Sequence, residues 1–135
     1  MKNIAFKIKY HFRVPRWIID LHKVFAKWLI DNYTVSHPIT VYLLPNISLP
    51  AEGHRYWGSF NVSKQKLFIE LACGRPKIRG HLPSQDKQIT FLLDNFAHEF
   101  CHYEHWRDNR VVDHRGLEKR AKAIVDRFHE YVWSQ

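Results

Sequence analysis

One five-residue stretch constrains this chain more than any other: residues 98 to 102 read His98-Glu99-Phe100-Cys101-His102. On an α-helix, residues four apart lie one turn apart on the same face. His98 and His102 can therefore bind one metal ion, with Glu99 beside it as a general base. The stretch predicts a helix, a zinc site and a hydrolytic reaction together.

The flanking sequence predicts that this stretch is helical. Pro83 and Ser84 mark the start, with Ser84 as the N-cap and Asp86 in the first turn, where the helix dipole favours an anion. The helix is predicted to end near Asn109, an acceptable C-terminal residue. The histidines share a face that is separate from an apolar stripe. That stripe repeats at helical spacing and consists of Ile89, Leu92, Leu93, Phe96, Phe100 and Tyr103.

The third metal ligand is not decided by the pattern, although a catalytic zinc site usually has three protein ligands and a water. His105 shares the helix of His102, and three ligands from one straight helix give poor tetrahedral geometry. Asp108 lacks the glycine three residues earlier that turns the chain in some zincins. His114 and Glu118 follow a short loop and open the last predicted helix, so either could close the site from the far side. The donors downstream of the motif are His105, Asp108, Asp113, His114 and Glu118.

The rest of the chain predicts two further helices around a few strands. Residues 15–32 form the first helix and residues 115–133 the last. The predicted strands are residues 39–44, 55–62 and 65–73, and the alternating residues 4–12 have the period of a half-buried strand. The first helix has the predicted core stripe Trp17, Leu21, Val24, Phe25, Trp28 and Leu29, and the last has Leu117, Ala121, Ile124, Val125, Phe128 and Val132.

Residues 98–121 resemble the SprT-like group of zinc metallopeptidases. That group has HExxH on one helix and a third histidine at the start of the next, after a loop of similar length. The stretch Asp113-His114-Arg115-Gly116-Leu117-Glu118-Lys119-Arg120-Ala121 is also similar to small zincin-like proteins of bacteria and phages. The resemblance covers the C-terminal third closely and the middle of the chain in layout alone.

This resemblance implies a fold and a set of functional residues. The fold is α+β and zincin-like: a small sheet of about three strands packs on the HExxH helix, with an N-terminal and a C-terminal helix. His98, His102 and His114 are the implied zinc ligands, and Glu99 is the implied catalytic acid and base. If this chain instead resembles zincins whose third ligand is a glutamate on the following helix, Glu118 is the implied third ligand. By the same resemblance, residues 66–72 are the strand that lines the substrate.

Composition limits the class of protein. A chain of 135 residues with abundant aromatic side chains forms a single domain, residues 1–135, with one core. No apolar run approaches a membrane-spanning length, and lysines interrupt the N-terminal apolar residues, so neither a membrane helix nor a secretory signal is predicted. Two cysteines give no disulfide framework, and cytoplasmic residence is the simplest interpretation. Cys101 is predicted to be a small core residue.

The chain carries a formal net charge of +8. Residues 1–16 contain five basic side chains and no acid, and the last helix contributes further lysines and arginines. A solvated basic surface is one interpretation; contact with nucleic acid is the other, and it suits a peptidase that acts on DNA-bound proteins.

These observations predict a zinc metallopeptidase that hydrolyses peptide bonds by a zinc-activated water, with Glu99 as general base. The competing interpretation is a basic, zinc-containing module that binds nucleic acid or protein without catalysis. Asp94 and Asp113 are candidates to orient a ligand imidazole. Four residues are candidates to stabilise the oxyanion: Tyr103, His105, Arg107 and Tyr131.

Overall fold

The computed structural model describes residues 6–51, 54–75 and 82–134, and it shows a mixed α and β fold. The helices are α1 (Arg16–Asn32), α2 (Gln85–Arg107) and α3 (His114–Trp133). The strands are β1 (Phe6–Tyr10), β2 (Ile39–Leu44), β3 (Leu49–Ala51), β4 (His54–Tyr56), β5 (Gly58–Ser63) and β6 (Lys66–Ala72). All three predicted helices are confirmed, with ends that lie within two residues of the predicted ones.

Four strands form the main sheet in the order β1-β2-β6-β5. β1, β2 and β6 are parallel, whereas β5 pairs antiparallel with β6 at the edge of the sheet. The prediction of about three strands is therefore wrong in number. The predicted strand 55–62 divides at Trp57, because residues 54–56 pair with β3 in a separate two-stranded sheet. The basic N-terminal segment supplies β1, and its residues 4 and 5 lie outside the described residues.

One face of the main sheet carries the core. Burial alternates along β2 and β6, so that Ile39, Val41 and Leu43 are buried while the residues between them are half-buried. α1 and α2 cover the buried face, and α3 packs on α1 and α2. The rings of Phe25 and Phe96 meet edge to face at a centroid distance of 5.4 Å, and those of Phe25 and Phe128 do so at 5.0 Å. Such aromatic pairs add to the free energy of burial.

The core stripe of α2 is confirmed, with Ile89 partly buried at its margin, but two other stripes need correction. On α1, Trp17 and Val24 are exposed, whereas Ile18, Ile19 and His22 are buried. Apolar residues cover more than half of this helix, so periodicity alone cannot select the face that the sheet contacts. On α3, Val132 is 46% exposed, because the last turn extends beyond the core.

The ends of α2 set the direction of the chain before and after the HExxH motif. The Ser84 hydroxyl accepts a hydrogen bond from the Lys87 backbone N–H, so the predicted N-cap is confirmed. Asn109 adopts a left-handed conformation with φ 53°, which asparagine tolerates better than most residues. The turn at Asn109 leads into residues 110–113 and then into His114, the first residue of α3. Within the described ranges, no helix is long and apolar enough to cross a membrane.

Candidate metal centre

The two motif histidines lie side by side on α2. The ring centroids of His98 and His102 are 4.9 Å apart. Zinc binds an imidazole nitrogen at about 2.0–2.1 Å in a tetrahedral arrangement, so two imidazoles on one ion have ring centres about 5 Å apart. The spacing of His98 and His102 therefore fits two ligands of one zinc ion.

The first turn of α3 brings His114 towards this pair. Its ring centroid lies 6.5 Å from that of His102, which is roughly 1.5 Å longer than two imidazoles on a tetrahedral zinc require. A change of rotamer or a small shift of the helix start is needed before both rings can hold one ion. Among residues 6–51, 54–75 and 82–134, no three His, Cys, Asp or Glu side chains stand close enough to hold a metal ion without such a shift.

Glu118 lies one turn after His114 on α3, and four-residue spacing puts both on one face of that helix. Its carboxylate acts on His98, where it raises the pKa against the effect of burial. It also lines a cavity together with His98 and Glu99. α3 therefore offers a nitrogen donor near His102 and an oxygen donor near His98, so both alternatives for the third ligand remain structurally available.

Burial favours the neutral form of His98 and His102, which is the form that binds metals. Burial lowers the pKa of His102 to about 4, helped by the positive charge that His98, His114 and His105 carry when protonated. Burial also lowers the pKa of His98, and His114 adds to this effect. His114 therefore lies close enough to influence the charge of both His98 and His102.

Glu99 is buried, with 6% of its surface exposed, and it faces a cavity of about 590 Å³. Burial raises the pKa of its carboxyl to about 8. The side chain therefore keeps its proton near neutral pH unless a positive charge lies beside it. The cavity is lined by Trp57, Gly58, Thr90, Asp94, Asn95, His98, Glu99, Glu118, Ala121 and Lys122.

Gly58 of β5 is a site residue that the sequence interpretation missed. A Cβ atom at this position would lie 3.0 Å from both Cγ and Oε2 of Glu99, and 3.1 Å from Cδ2 of Leu71. Glycine thus lets the edge strand approach the Glu99 carboxyl directly. A lone glycine inside a strand often marks such a close approach, and this signal could have identified Gly58.

An ion pair joins α2 and α3 beside the histidines. Arg120 donates to both carboxylate oxygens of Glu104, at 3.2 and 2.9 Å. Glu104 is 5% exposed, and the Arg120 guanidinium also lies over the ring of Tyr33 at 5.2 Å. The bidentate geometry restrains the packing of α3 on α2 close to His102 and His114.

None of the four oxyanion candidates lines the cavity beside Glu99. The Tyr103 hydroxyl is bonded to the Ser36 N–H and to Nδ1 of His37, and the Arg107 guanidinium is bonded to Asp108. The ring of Tyr131 packs on Phe128 and Trp28, towards the end of α3. Nδ1 of His105 donates a hydrogen bond to the Cys101 backbone carbonyl. All four side chains therefore contact other groups and do not line the cavity where an oxyanion would form.

The two orienting candidates differ in position. Asp94 lines the cavity one turn before His98, and burial, followed by repulsion from Asp126, raises the pKa of its carboxyl. Asp113 is the residue before α3, and its side chain makes no capping hydrogen bond. Neither carboxylate is hydrogen-bonded to a histidine in the part of the chain that the structure describes. Cys101 is fully buried, as predicted, and burial raises the pKa of its thiol to about 12.

The prediction that residues 66–72 line the substrate is wrong. This segment is β6, which pairs with β2 on one side and with β5 on the other, so its backbone groups are already used. Among the described strands, β5 is the edge strand next to β6, and β1 forms the opposite edge. The Ala72 N–H donates to the Trp57 carbonyl at 2.9 Å, so the antiparallel alternation directs the N–H and C=O groups of Gly58 and Phe60 away from β6.

Comparison of the chain with protein-family models, with curated proteins and with solved structures gives no match.

Proposed function

We propose that this protein is a zinc-dependent metallopeptidase with a zincin-like fold. The observation that carries the proposal is the arrangement around α2. His98 and His102 are spaced for one zinc ion, Glu99 lies beside them at a cavity, and α3 brings further donors to the same side. The antiparallel edge strand β5 passes directly over the Glu99 carboxyl.

His98 and His102 would hold the metal, with His114 as the favoured third ligand and Glu118 as the alternative. Neutral imidazoles and a carboxylate are the donor types that catalytic zinc sites use. Zinc in this position would act as a Lewis acid on the scissile carbonyl and lower the pKa of a water molecule.

Glu99 performs the proton transfers in this proposal. The charge of a bound zinc ion would favour the ionised form of Glu99. The carboxylate would then accept a proton from the attacking water and later give it to the amine nitrogen of the leaving group, so that the peptide bond breaks as a new carboxylate forms. Glu99 is buried at the wall of the cavity, and the close approach of Gly58 limits the movement of its carboxyl. A fixed position is what an acid and base catalyst requires, because the proton must move over hydrogen-bonding distance.

β5 is the proposed docking strand for a peptide substrate. The outward N–H and C=O groups of Gly58 and Phe60 can pair with an extended peptide, as sheet edges do in other peptide-binding proteins. A peptide bound there lies next to the Glu99 carboxyl because Gly58 contacts it. The cavity between Trp57 and Lys122 would then accept one substrate side chain.

The net charge of +8 supports a proposal about the class of substrate. DNA-associated proteins are the proposed substrate class, because a basic peptidase is attracted to the polyanion that carries them. The proposed location is the cytoplasm.

The proposal is tested by metal analysis and peptide cleavage on purified protein. We expect one zinc ion per chain and cleavage of casein in the wild type, with both lost in His98→Ala and His102→Ala. His105→Ala is the matched control, since it removes a histidine from the same helix that the proposal does not use as a ligand. A wild-type protein that binds no zinc, or a control that loses zinc equally, would contradict the proposal.

A further inference from the structure

The face of the sheet opposite the helices has its own composition. The side chains of β1, β2 and β6 that point away from the core include Lys7 and Lys9 on the first strand, Tyr42 on the second and Phe68 on the third, as the alternation of burial shows. Tyr42 and Phe68 are half-buried, whereas Lys7 and Lys9 are exposed. We call these four side chains, with Lys66, the basic aromatic face.

The strand register brings these side chains into rows. Lys9 pairs with Tyr42, Lys7 pairs with Thr40, and Thr40 in turn pairs with Phe68. The rings of Tyr42 and Phe68 have centroids 6.1 Å apart at an angle of 34°, and the Lys9 ammonium lies 5.9 Å from the centre of the Tyr42 ring. Two aromatic rings on adjacent inner strands are thus flanked by cations on the outer strand.

A shallow cavity of about 350 Å³ lies beside the rings, and its lining adds polar groups. Asn61 of β5 and Glu70 of β6 border it together with Tyr42, Leu44 and Phe68. An amide and a carboxylate can pair with the edges of nucleobases, as asparagine does with adenine and glutamate with cytosine. Glu70 is the one acid that the four described strands of this sheet place on the face, so positive charge predominates there.

We infer that the basic aromatic face binds single-stranded nucleic acid. Lysines attract the phosphates, while exposed aromatic faces stack on unpaired bases. Four-stranded sheets that bind single-stranded RNA use the same arrangement, with aromatic side chains on adjacent strands that stack two or three bases. A duplex keeps its bases stacked on one another, so the rings of Tyr42 and Phe68 would have no base to contact.

This surface is separate from the candidate metal centre, because α2 and the histidines lie on the other side of the sheet. The inference therefore does not rest on the proposed peptidase activity. If both hold, the protein would hold a single strand on one face of its sheet and cleave a protein on the other.

The test measures fluorescence anisotropy of labelled oligo(dT) and oligo(U), together with a duplex of equal length. We expect wild-type protein to bind the single strands at least about tenfold more tightly than the duplex. Lys7→Glu/Lys9→Glu should weaken single-strand binding about tenfold or more and lower the slope of log affinity against log salt by about 1.4. Phe68→Leu keeps an apolar side chain but removes the stacking ring, and it should weaken binding about tenfold.

Lys87→Glu is the matched control, because it reverses one exposed lysine in the first turn of α2, on the helical side. It should leave affinity within about twofold, and thermal unfolding should show that the variants are folded. Glu99→Gln should bind the oligonucleotides like wild type, which separates this test from the proposed catalysis. Equal affinity for duplex, equal loss in Lys87→Glu, or equally tight binding of polyglutamate would overturn the inference.

Discussion

Gly58 and Glu99 are packed so closely that a single methyl group at position 58 would reach the catalytic candidate. The missing Cβ would lie 3.0 Å from Oε2 of the carboxyl, which is closer than ordinary van der Waals contact. This contact links the edge strand β5 to the HExxH helix.

The first prediction follows from that contact. Gly58→Ala should shift the Glu99 carboxyl by a few tenths of an ångström and reduce peptide cleavage about tenfold or more, because proton transfer depends on position. Zinc content should not change, since the histidines are not displaced. Ser59→Ala is the matched control on the same strand, with its side chain on the opposite face. Unchanged cleavage in Gly58→Ala would show that the Glu99 carboxyl tolerates displacement or does not act in the reaction.

The identity of the third ligand is a second prediction. His114→Ala should lower the zinc affinity about tenfold or more, because it removes a direct ligand, whereas Glu118→Ala should retain zinc and act mainly on the environment of His98. Equilibrium competition with a zinc-binding dye measures both affinities. The reverse order of the two variants would assign the site to Glu118 and make the protein a zincin of the glutamate type.

The ion pair between α2 and α3 gives a prediction on stability. Arg120→Met leaves the Glu104 carboxylate buried without a partner, and we expect a loss of about 2 kcal/mol in the free energy of unfolding. Half of the Arg120 side chain is exposed, which keeps the loss below that of a fully buried pair. Urea denaturation of the wild type and of Arg120→Met measures this loss in the free energy of unfolding.

The exposed pair between Arg16 and Asp20 is the control for this experiment. Both side chains are more than half exposed, and Arg16→Ala should change the free energy of unfolding by less than about 0.5 kcal/mol. Equal effects of Arg16→Ala and Arg120→Met would mean that the pair at Glu104 adds nothing beyond a surface contact.

His22 gives a prediction on pH. This residue is fully buried on α1, and burial lowers its pKa from 6.5 to about 4. Below pH 6.5, His22 therefore becomes protonated in the unfolded chain, whereas in the folded chain it becomes protonated only near pH 4. The contribution of His22 to stability falls by about 1.4 kcal/mol per pH unit over this window, or roughly 3 kcal/mol in total.

His22→Leu removes this titration while keeping an apolar side chain against Phe96, on which the His22 ring stacks. Denaturation at pH 7.5, 6 and 5 should show a shallower loss of stability in the variant than in the wild type. Nδ1 of the ring donates to the Ile18 backbone carbonyl at 2.7 Å, and the variant loses this bond at every pH, whereas Nε2 has no hydrogen-bond partner in the described part of the chain. Parallel pH profiles of the two proteins would refute the assignment.

The elements of this fold could be predicted from the sequence wherever local signals agree. Ser84 and the apolar stripe of α2 place its start and its buried face, and the β-branched residues between two prolines place β2. The order of the strands could not be predicted, because pairing depends on residues distant in sequence. The sequence therefore predicts residues 66–72 as the substrate strand, although β2 and β5 occupy both edges of β6.

The site was predictable to a similar extent. The spacing of His98 and His102 follows from helix geometry, and the structure gives the expected separation. The position of His114 depends instead on the left-handed turn at Asn109 and on the Arg120–Glu104 pair, neither of which spacing reveals. The same holds for Gly58, which reaches Glu99 through the sheet.

The most direct test of the account is the Glu99→Gln variant, assayed for zinc content and for cleavage of casein or a DNA-bound protein on the same preparation. Glutamine keeps the size of the side chain but cannot accept the proton. We expect the variant to bind one zinc ion per chain, as in the wild type, and to cleave the substrate at least about 100-fold more slowly. Full cleavage by a zinc-loaded Glu99→Gln protein would contradict it.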